Sequence, residues 1–457
     1  MTNYKEWTRY CPAVDIYSCY SEEEDTVFLD SSLENMYGNY SIIGIHPYLK
    51  VEDRNGELFV NGVVQEGSFA DYISKYLKVH EEKNPTTLPL LSGAIGYLAY
   101  DFGLRPNGIS SCHPKDVDIP EGLFIFYEHF IIEDQKNRKI YLTAAQRLDN
   151  GEDSLGALEK DLEERLYYRT TNLSPAKMKK GDFNLRSDFE KEQYYEAINK
   201  VINYIVEGDI YIANMTRQII MESQVHPYEV FLRLHKTNPA PFSGYLNLGH
   251  FKIVCCSPER FLKLVDGIAE TRPIKGTRKR GETPEGDDAL RTELLHSSKD
   301  RSELLMIVDL ERNDLNKVCE PGSVVVTQLF DVEAYATVFH LVSTIVGKLK
   351  EGMTAMDLLM AMFPGGSITG APKRRAMEII DEVEHSRRGL YTGSIGYLSF
   401  DNSCDFNIVI RTVVYKDGMY HLGVGGGITC ESELEFEFEE TEQKAKALLE
   451  AIKYNLD

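Results

Sequence analysis

The order of the predicted secondary structure constrains the fold of this 457-residue chain more than any other feature of the sequence. Short strand-like runs occupy 27–32, 40–45 and 138–143. Further strands are predicted from Gly208 to about 270, and again after about 382 until about 428. Because the strands come in runs and do not alternate with helices, the pattern predicts an α/β fold of the α+β type and disfavours an all-parallel, doubly wound sheet.

Helices are predicted between and after these runs. A charged surface helix is expected at 152–168, and further helices at about 290–316 and 333–382. Two helices carry a capping-box pattern at their start, Ser187 with Glu190 and Ser432 with Glu435. The first of these is expected to end at Gly208, and the second closes the chain.

A polar, basic segment divides the sequence into two halves. We predict an N-terminal region at 1–170, a linker at 171–186 and a catalytic domain at 187–457. The segments 93–101 and 393–401 are similar in sequence, which suggests either duplication of an ancestral half or the same local solution reached twice.

Composition excludes several classes of function. The net charge of −22 argues against binding to nucleic acid or to anionic membranes, and an anionic substrate would need local cations or a metal. The eight cysteines form no C-x-x-C pair and no zinc-type cluster. The N-terminus lacks a signal-peptide pattern, and no apolar run is long enough to span a bilayer. These features predict a cytoplasmic protein with reduced thiols.

One lysine stands between a proline and a glycine in the segment TRPIKGTR at 271–278. An amine that is held against a turn and partly desolvated is a nucleophile near neutral pH. Lys275 is therefore a candidate nucleophile, although most lysines in such segments are solvated surface charges.

Two helices offer carboxylates to a cation. Glu303 is followed by three apolar residues, so it is either a surface glutamate at the helix edge or a buried carboxylate that needs a positive partner. Glu437 and Glu440 are neighbours on the last helix, one turn before Lys444, within a run of acidic residues that is otherwise expected to be solvated. Carboxylates from two helices, with waters and a substrate carboxylate, are typical of an open magnesium site.

Two glycine-rich segments precede helices. The segment 423–428 contains three successive glycines, which can present N–H groups to an anion at a helix start. The segment 363–373 is not a P-loop, because the required order of glycines, lysine and Ser/Thr is absent, and a tight helix start is the simpler interpretation.

Two more side chains lie among apolar residues. Arg411, which we place inside a strand at 406–414, either faces solvent or clamps a carboxylate. His340 is either a hydrogen-bonded core histidine or a catalytic one.

Together these segments resemble the chorismate-utilising enzyme family. The matching motifs follow in family order over about 200 residues. They are SPERF (257–261), TRPIKGTR (271–278), DRSELLMIVDLERNDL (300–315), HLVS (340–343), FPGGSITGAPK (363–373), RGLYTGSIGY (388–397), IRT (410–412) and GGGIT with the acidic helix that follows it.

The resemblance implies a fold of two large, mainly antiparallel sheets packed face to face with flanking helices, as in anthranilate synthase component I. It implies Mg²⁺ as cofactor, bound by Glu303 and Glu440 with Glu437 assisting. It implies that Lys275, Glu259 and His340 are catalytic. The implied chorismate-binding residues are Gly276, Thr277, Tyr391, Arg411, Gly425, Gly426, Gly427 and Lys444.

Within the family, Lys275 decides between two reactions. The lysine implies an aminodeoxychorismate synthase component I, in which the amine attacks ring carbon 2 and ammonia then enters at carbon 4, for p-aminobenzoate and folate synthesis. Anthranilate synthase component I usually has alanine there and is the main alternative, and an inactive paralogue that only binds aromatic metabolites is a second one.

The chain offers no glutaminase motif, so the resemblance implies a separate glutamine amidotransferase subunit that supplies ammonia. Ile212 stands where the family often has glutamine, which leaves any polar contact at that position in doubt.

The N-terminal half resembles the segments that surround a tryptophan pocket in these proteins. On that basis we predict a pocket, with tryptophan as a candidate occupant, formed by Ser31, Pro241, Phe242 and Ser243.

Overall fold

The computed structural model describes residues 2–33, 38–145, 151–171, 184–335 and 338–453. The described part contains 22 strands and ten helices. The strands are β1 Asn3–Trp7, β2 Thr26–Asp30, β3 Tyr40–Arg54, β4 Glu57–Val60, β5 Val63–Gln65, β6 Gly93–Leu98, β7 Gly122–Asp134, β8 Lys139–Ala144, β9 Asn184–Ser187, β10 Ile212–Glu222, β11 Phe242–Asn247, β12 Phe251–Ser257, β13 Arg260–Val265, β14 Ile268–Thr271, β15 Ile274–Lys279, β16 Val325–Ala334, β17 Val338–Lys348, β18 Gly370–Ala371, β19 Ser394–Ser399, β20 Cys404–Asn407, β21 Thr412–Lys416 and β22 Met419–Ile428. The helices are α1 Ala13–Tyr17, α2 Phe69–Val79, α3 Gly151–Thr171, α4 Lys191–Glu207, α5 Pro227–Thr237, α6 Pro284–His296, α7 Ser298–Val318, α8 Ala355–Met362, α9 Lys373–Val383 and α10 Leu434–Lys453.

The strands form two antiparallel sheets that share the long strands β3 and β7. The first sheet runs in the order β1-β8-β7-β3-β2-β11-β12-β21-β22-β10. The second runs β5-β4-β3-β7-β6-β19-β20-β13-β14-β17, with β15 and β16 also paired to β17. The β3–β7 ladder shifts register between Pro47 and Leu49, at the junction of the two sheets.

The two sheets pack face to face because side chains alternate along each strand. On β2, Val27 lies in the core between the sheets, whereas Phe28 faces the helical layer outside the first sheet. On β7, Ile125 lies between the sheets and Phe126 faces helices outside the second. The predicted fold of two antiparallel sheets with flanking helices is confirmed.

The sequence predicted most elements but misassigned one. The strand-like run at 40–45 is the start of β3, the expected strand at 138–143 is β8, and the helix after the linker ends at Gly208, which has a φ of +86°. The helix expected over 333–382 is wrong in its first part, because β16 and β17 extend to Lys348. The β-branched residues of β17 pair with strands on both sides, which overrides the local helical pattern.

Both capping predictions were wrong in detail. Helix α4 is capped by Glu190 with Gln193, three residues after the predicted pair. At the start of α10 the Ser432 hydroxyl donates to Glu437 rather than pairing with Glu435. Most of the predicted linker lies outside the described residues, but its last residues, from Asn184, form β9 against β10. The proposed domain division stays a prediction.

The similar segments 93–101 and 393–401 lie side by side. Strand β6 pairs with β19, and Gly96 lies opposite Gly396 at the centre of the ladder. A Cβ at either glycine would approach neighbouring backbone atoms within about 2 Å, so both positions require glycine for the close packing of strands. No helix within the described ranges is long and apolar enough to cross a membrane.

Candidate active site

The lysine motif lies at the edge of the second sheet, where β14 ends and β15 begins. The backbone is a broken strand and not the tight turn that the sequence suggested, because the register with β17 shifts between Ile274 and Thr277. Gly276 has a φ of +80°, and a Cβ there would lie 2.8 Å from the Asp300 carboxyl. Only glycine fits this conformation and this contact.

Lys275 is half-buried among backbone atoms and one apolar side chain. Its amine donates to the Ser367 carbonyl oxygen at 3.3 Å. The amine and the Ile212 side chain both lie within 3.5 Å of the position that a Cβ on Gly427 would occupy. Ile212, where the family often has glutamine, therefore gives this side of the amine an apolar wall and not a polar partner.

Glu259 lies on the link between β12 and β13, near Lys275. The Ser367 hydroxyl donates to Glu259 Oε1 at 2.8 Å. Burial raises the pKa of Glu259 above its ordinary value, and the Ser367 bond, Lys275 and Lys444 partly offset that rise. A carboxyl group with a raised pKa carries its proton at higher pH than usual, as a general acid must.

His340 on β17 faces Thr277 on β15. The two residues are register partners, and His340 Nδ1 lies 3.0 Å from the Thr277 hydroxyl. Burial, together with the positive charge of Arg411, lowers the pKa of His340 to about 4. The imidazole is therefore neutral at pH 7 and is free to exchange hydrogen bonds without carrying charge.

Helices α7 and α10 bring three carboxylates to the same region. Glu303 comes from α7, and Glu437 and Glu440 come from the first turns of α10. A Cβ on Gly426 would lie 2.5 Å from Glu440 and 3.1 Å from Glu437, so the missing side chain makes room for both carboxylates. Burial raises the pKa of both Glu303 and Glu437, and the charge of Glu440 adds to each rise.

Lys444 is the cation closest to these carboxylates. Its amine lies 3.1 Å from Glu440 Oε2, four residues earlier on α10, and donates to the Gly425 carbonyl oxygen at 2.7 Å. Glu303 receives no hydrogen bond from any residue in the described ranges, although the charges of Lys275 and Lys299 lower its pKa against the effect of burial. Negative charge in this cluster is thus only partly compensated.

The three carboxylates offer the type of oxygen ligand that an open Mg²⁺ site uses. Carboxylate oxygens are the protein ligands that Mg²⁺ prefers, and it usually retains several waters. In the part of the chain that the structure describes, no three His, Cys, Asp or Glu side chains converge closely enough to enclose a metal ion. Glu303, Glu437 and Glu440 would therefore supply part of a coordination shell that water and a substrate carboxylate complete.

The glycines 425–427 occupy a strand and not a helix start. They belong to β22 and pair with residues 214–216 of β10, so their predicted place at the beginning of α10 is wrong, whereas their binding of an anion stays a prediction. On its other side β22 pairs with β21 only over residues 419–422, so that ladder stops before the glycines. The absence of side chains instead opens space for Lys275 and the carboxylates.

Arg411 lies outside the strand in which the sequence placed it. Strand β20 ends at Asn407 and β21 begins at Thr412, and Arg411 lies between them, exposed, with a φ of +51°. Thr392, next to Tyr391, is also left-handed, at +60°. Non-glycine residues in this conformation are strained and cluster at functional sites.

Tyr391 is buried and packs against the glycine strand. A Cβ on Gly423 would lie 2.1 Å from its ring. Burial raises the pKa of the Tyr391 hydroxyl well above its ordinary range, so the phenol stays protonated and can act as a donor.

Two site residues were missed by the sequence reasoning. Ser367 contacts both Lys275 and Glu259, and the signal for it was its place in the glycine-rich segment 363–373. Glu311 is buried two turns after Glu303 on α7. Its spacing from Glu303 on one helix was a signal that could have been used.

The Glu311 carboxyl is held as a neutral acid. Thr271 Oγ1 lies 2.8 Å from both the Phe261 carbonyl oxygen and Glu311 Oε2. A hydroxyl has one proton, so if Thr271 donates to the carbonyl, Glu311 must be the donor in the second bond. Burial raises the pKa of Glu311 to about 8, and the nearby charge of Glu259 adds to the rise.

The predicted tryptophan-type pocket coincides with a separate cavity of about 620 Å³ between the N-terminal strands and β13. Ser31, Pro241, Phe242 and Ser243 all line it. Arg260, which forms a two-pronged ion pair with Asp405 at 2.9 Å, lies on its wall and stacks over Phe242. What the cavity binds stays a prediction.

Comparison with known proteins gives one family and two activities. A family model described as chorismate binding enzyme matches residues 27–450. The chain is 35% identical to aminodeoxychorismate synthase component 1 of Bacillus subtilis over 425 residues, which cover 91% of this chain and 89% of that protein. It is 37% identical to anthranilate synthase component 1 of Aquifex aeolicus over 430 residues, which cover 91% and 86%.

The solved structures agree. The crystal structure of anthranilate synthase component I from Streptococcus pneumoniae superposes with a TM-score of 0.80 at 31% identity, covering 91% of this chain and 93% of that chain. The family match spans both halves of the sequence, including every strand that carries a candidate site residue. This chain therefore belongs to the family of chorismate binding enzymes.

Proposed function

We propose that the chain is an aminodeoxychorismate synthase component I, which converts chorismate and ammonia to 4-amino-4-deoxychorismate. The observation that carries the proposal is the lysine amine of Lys275, half-buried beside the acid Glu259 and the glutamates of α7 and α10. A reaction in which ammonia alone attacks the ring has no use for a nucleophilic amine in this position.

The relatives do not decide between the two reactions, since both names occur at 35–37% identity. Anthranilate synthase component I is the second candidate. It would need Lys275 only as a charge that neutralises carboxylates, and the ammonium interacts favourably with both Glu259 and Glu303.

Substrate binding is proposed to use the cations and donors around the groove. Arg411 and Lys444 would pair with the substrate carboxylates, and Thr277 and the Tyr391 hydroxyl would donate hydrogen bonds. Bound Mg²⁺, held by Glu303, Glu440 and Glu437, would supply positive charge that neutralises one carboxylate. A chain with a net charge of −22 needs these local cations to hold a dianion.

The proposed chemistry begins with attack by Lys275. The Lys275 ammonium first loses a proton to solvent, and its amine then forms a bond to ring carbon 2, the double bonds shift, and the carbon 4–oxygen bond breaks. The departing oxygen takes the proton of Glu259 and leaves as water. Holding the amine against the Ser367 carbonyl turns this attack into an intramolecular reaction, a gain of up to about 7–11 kcal/mol in model systems.

Ammonia completes the exchange. It attacks carbon 4, the double bonds shift back, and the bond between carbon 2 and the Lys275 nitrogen breaks, which returns the electron pair to the amine. The Glu259 carboxylate recovers its proton from the new ammonium group. Chorismate and ammonia thus give 4-amino-4-deoxychorismate and water, and the enolpyruvyl group stays attached.

The ammonia is proposed to come from a glutamine amidotransferase subunit. The relatives are named as component 1 of a synthase, which supports a separate second component. Free ammonium should replace it.

The test is to incubate the purified chain with chorismate, Mg²⁺ and ammonium and to identify the product by mass spectrometry. Aminodeoxychorismate that disappears on chelation of Mg²⁺ supports the proposal, and anthranilate overturns it in favour of the second candidate. Lys275→Ala should abolish aminodeoxychorismate formation, whereas Lys279→Ala, an exposed lysine on the same strand, should not.

If the assay gives no product, even with a glutaminase partner added, the result favours the inactive paralogue that only binds aromatic metabolites. Binding of chorismate without turnover, measured by calorimetry, would be its signature.

A further inference from the structure

The segment 363–369 forms a rigid turn that touches both proposed reacting groups through one residue. The Ser367 hydroxyl donates to Glu259 Oε1 at 2.8 Å, and the Ser367 carbonyl oxygen accepts from the Lys275 amine at 3.3 Å. The nucleophile and the acid are therefore joined through the two polar groups of one serine.

Several buried groups hold this turn in place. The Thr369 hydroxyl donates to the Gly365 carbonyl oxygen at 2.8 Å, and Arg388 donates to the Ile368 carbonyl oxygen at 2.8 Å. The Lys373 amine donates to the Pro364 carbonyl oxygen at 2.7 Å. Arg388 and Lys373 are themselves fixed by ion pairs with Glu384 and Asp314. A serine on such a support has little freedom to leave its partners.

We propose that Ser367 is a positioning residue that aligns Glu259 and Lys275 for the two halves of one substitution step. This inference rests on the proposed function. The Ser367 hydroxyl donates to Glu259 Oε1, so the acidic proton lies on Oε2, the oxygen that is free to face a substrate. Its carbonyl takes one amine hydrogen of Lys275 and so sets the direction of the nitrogen lone pair.

The charges around this unit define its expected pH response. Glu259 is influenced by Lys275 and Lys444 and by its bond from Ser367, and its own charge acts on buried Glu311. The charges of Asp314 and Lys373 also act on Glu311. The Ser367 bond stabilises the charged form of Glu259, so losing the bond raises the pKa of that group further.

The test compares Ser367→Ala with the intact chain, using chorismate, Mg²⁺ and ammonium. We expect kcat for aminodeoxychorismate to fall about 10- to 100-fold, with KM for chorismate changed less than about threefold, because alignment and not binding is lost. The limb of the kcat/KM profile that reports loss of the acidic proton should move to higher pH. Ser367→Thr, which keeps the hydroxyl, should restore most of the rate.

Two further variants separate a positioning role from a structural one. Ser323→Ala removes a hydroxyl that bonds only backbone groups, as a donor to the carbonyl oxygens of Glu320 and Lys348 and as an acceptor from the Lys348 N–H, and should leave the rate unchanged. In a Glu259→Gln background, Ser367→Ala should cause little additional loss of rate, because the Ser367 hydroxyl acts through the Glu259 carboxyl, which that background already lacks. If Ser367→Ala does not fold, Ser367→Cys, of similar size and with a weak donor, serves in its place.

The outcomes are distinct. If the intact chain makes aminodeoxychorismate and Ser367→Ala matches it in rate and pH profile, the positioning role is overturned and the proposed function stands. If the two losses are fully additive in the double variant, the role through Glu259 is likewise overturned. If the intact chain makes only anthranilate, the proposed function fails and this inference fails with it.

Discussion

Helix α7 carries two glutamates, eight residues apart, that the fold treats in opposite ways. Glu303 is half-buried in a groove with other carboxylates, receives no hydrogen bond within the described ranges and interacts with lysines only through charge. Glu311 is 3% exposed, bonds to a neutral threonine and has its pKa raised to about 8. A partly exposed carboxylate that receives no hydrogen bond is open to a ligand, whereas a sealed and hydrogen-bonded one serves the structure.

Replacing each glutamate with glutamine should give the largest contrast in activity. Glu303→Gln should lower kcat/KM with chorismate at least about 10²-fold and weaken Mg²⁺ binding, because it removes a charged ligand from an open site. Glu311→Gln should stay within about threefold of the intact chain, since an amide reproduces a neutral donor. Steady-state rates and Mg²⁺ calorimetry check both, and equal losses in the two variants would contradict the contrast.

The pH dependence of stability should separate the two glutamates next. The folded-state pKa of Glu311 is raised, so the contribution of this group to stability is fully present below about pH 4.5, the ordinary pKa of glutamate. Above that pH the glutamate of the unfolded chain ionises while Glu311 of the folded chain keeps its proton, and this contribution is lost until about pH 8, by up to about 5 kcal/mol.

Glu311→Gln should remove this loss, so its stability relative to the intact chain should rise between pH 4.5 and 8. Urea unfolding at several pH values measures the difference. A flat difference would mean that Glu311 is ionised in the folded chain.

The Thr271 partner offers a third test. Thr271→Val leaves the buried Glu311 carboxyl without its hydrogen-bond partner, at a cost of about 1–3 kcal/mol in the free energy of unfolding. Combining it with Glu311→Leu removes both polar groups and should recover much of that cost. Thermal unfolding of the single and double variants checks this, and a double variant as unstable as the sum of its parts would contradict it.

The smallest expected effect concerns repulsion inside the carboxylate cluster. Glu437→Gln should raise the stability of the metal-free chain by about 0.5–1 kcal/mol, because the charge of Glu440 acts on Glu437 and the glutamine still accepts from Ser432. The same variant should gain less stability when Mg²⁺ is added. Melting temperatures with and without Mg²⁺ test both, and an unchanged response to the metal would remove Glu437 from the site.

The sequence predicted the residues of the groove better than their backbone. Lys275, His340 and Glu303 could be singled out from their neighbours in the sequence, whereas Glu259 was named only through the family resemblance of the SPERF motif. The structure adds what a linear pattern cannot carry, since sheet pairing sets the backbone. Residues 425–427, which were predicted at a helix start, pair with β10 as part of a strand. Arg411, which was predicted inside a strand, has a left-handed backbone conformation between two strands.

Ser367 and Glu311 show why other site residues stayed unseen. A serine in a glycine-rich turn is common, and its place in the site follows only from contacts with residues about 90 and 108 positions away. In the sequence Glu311 is one more charged residue on an acidic helix, and only the structure shows its burial and its hydrogen bond with Thr271. Long-range contacts of this kind depend on tertiary packing and leave no periodic trace.

The most direct test of the central claim is the intact mass of the protein after brief mixing with chorismate and Mg²⁺, with no ammonium present. Lys275 acting as the nucleophile predicts a covalent adduct of one chorismate less one water, located at Lys275 by digestion and absent in Lys275→Ala. Turnover on adding ammonium, with no such adduct at any time or pH and with anthranilate as product, would contradict it.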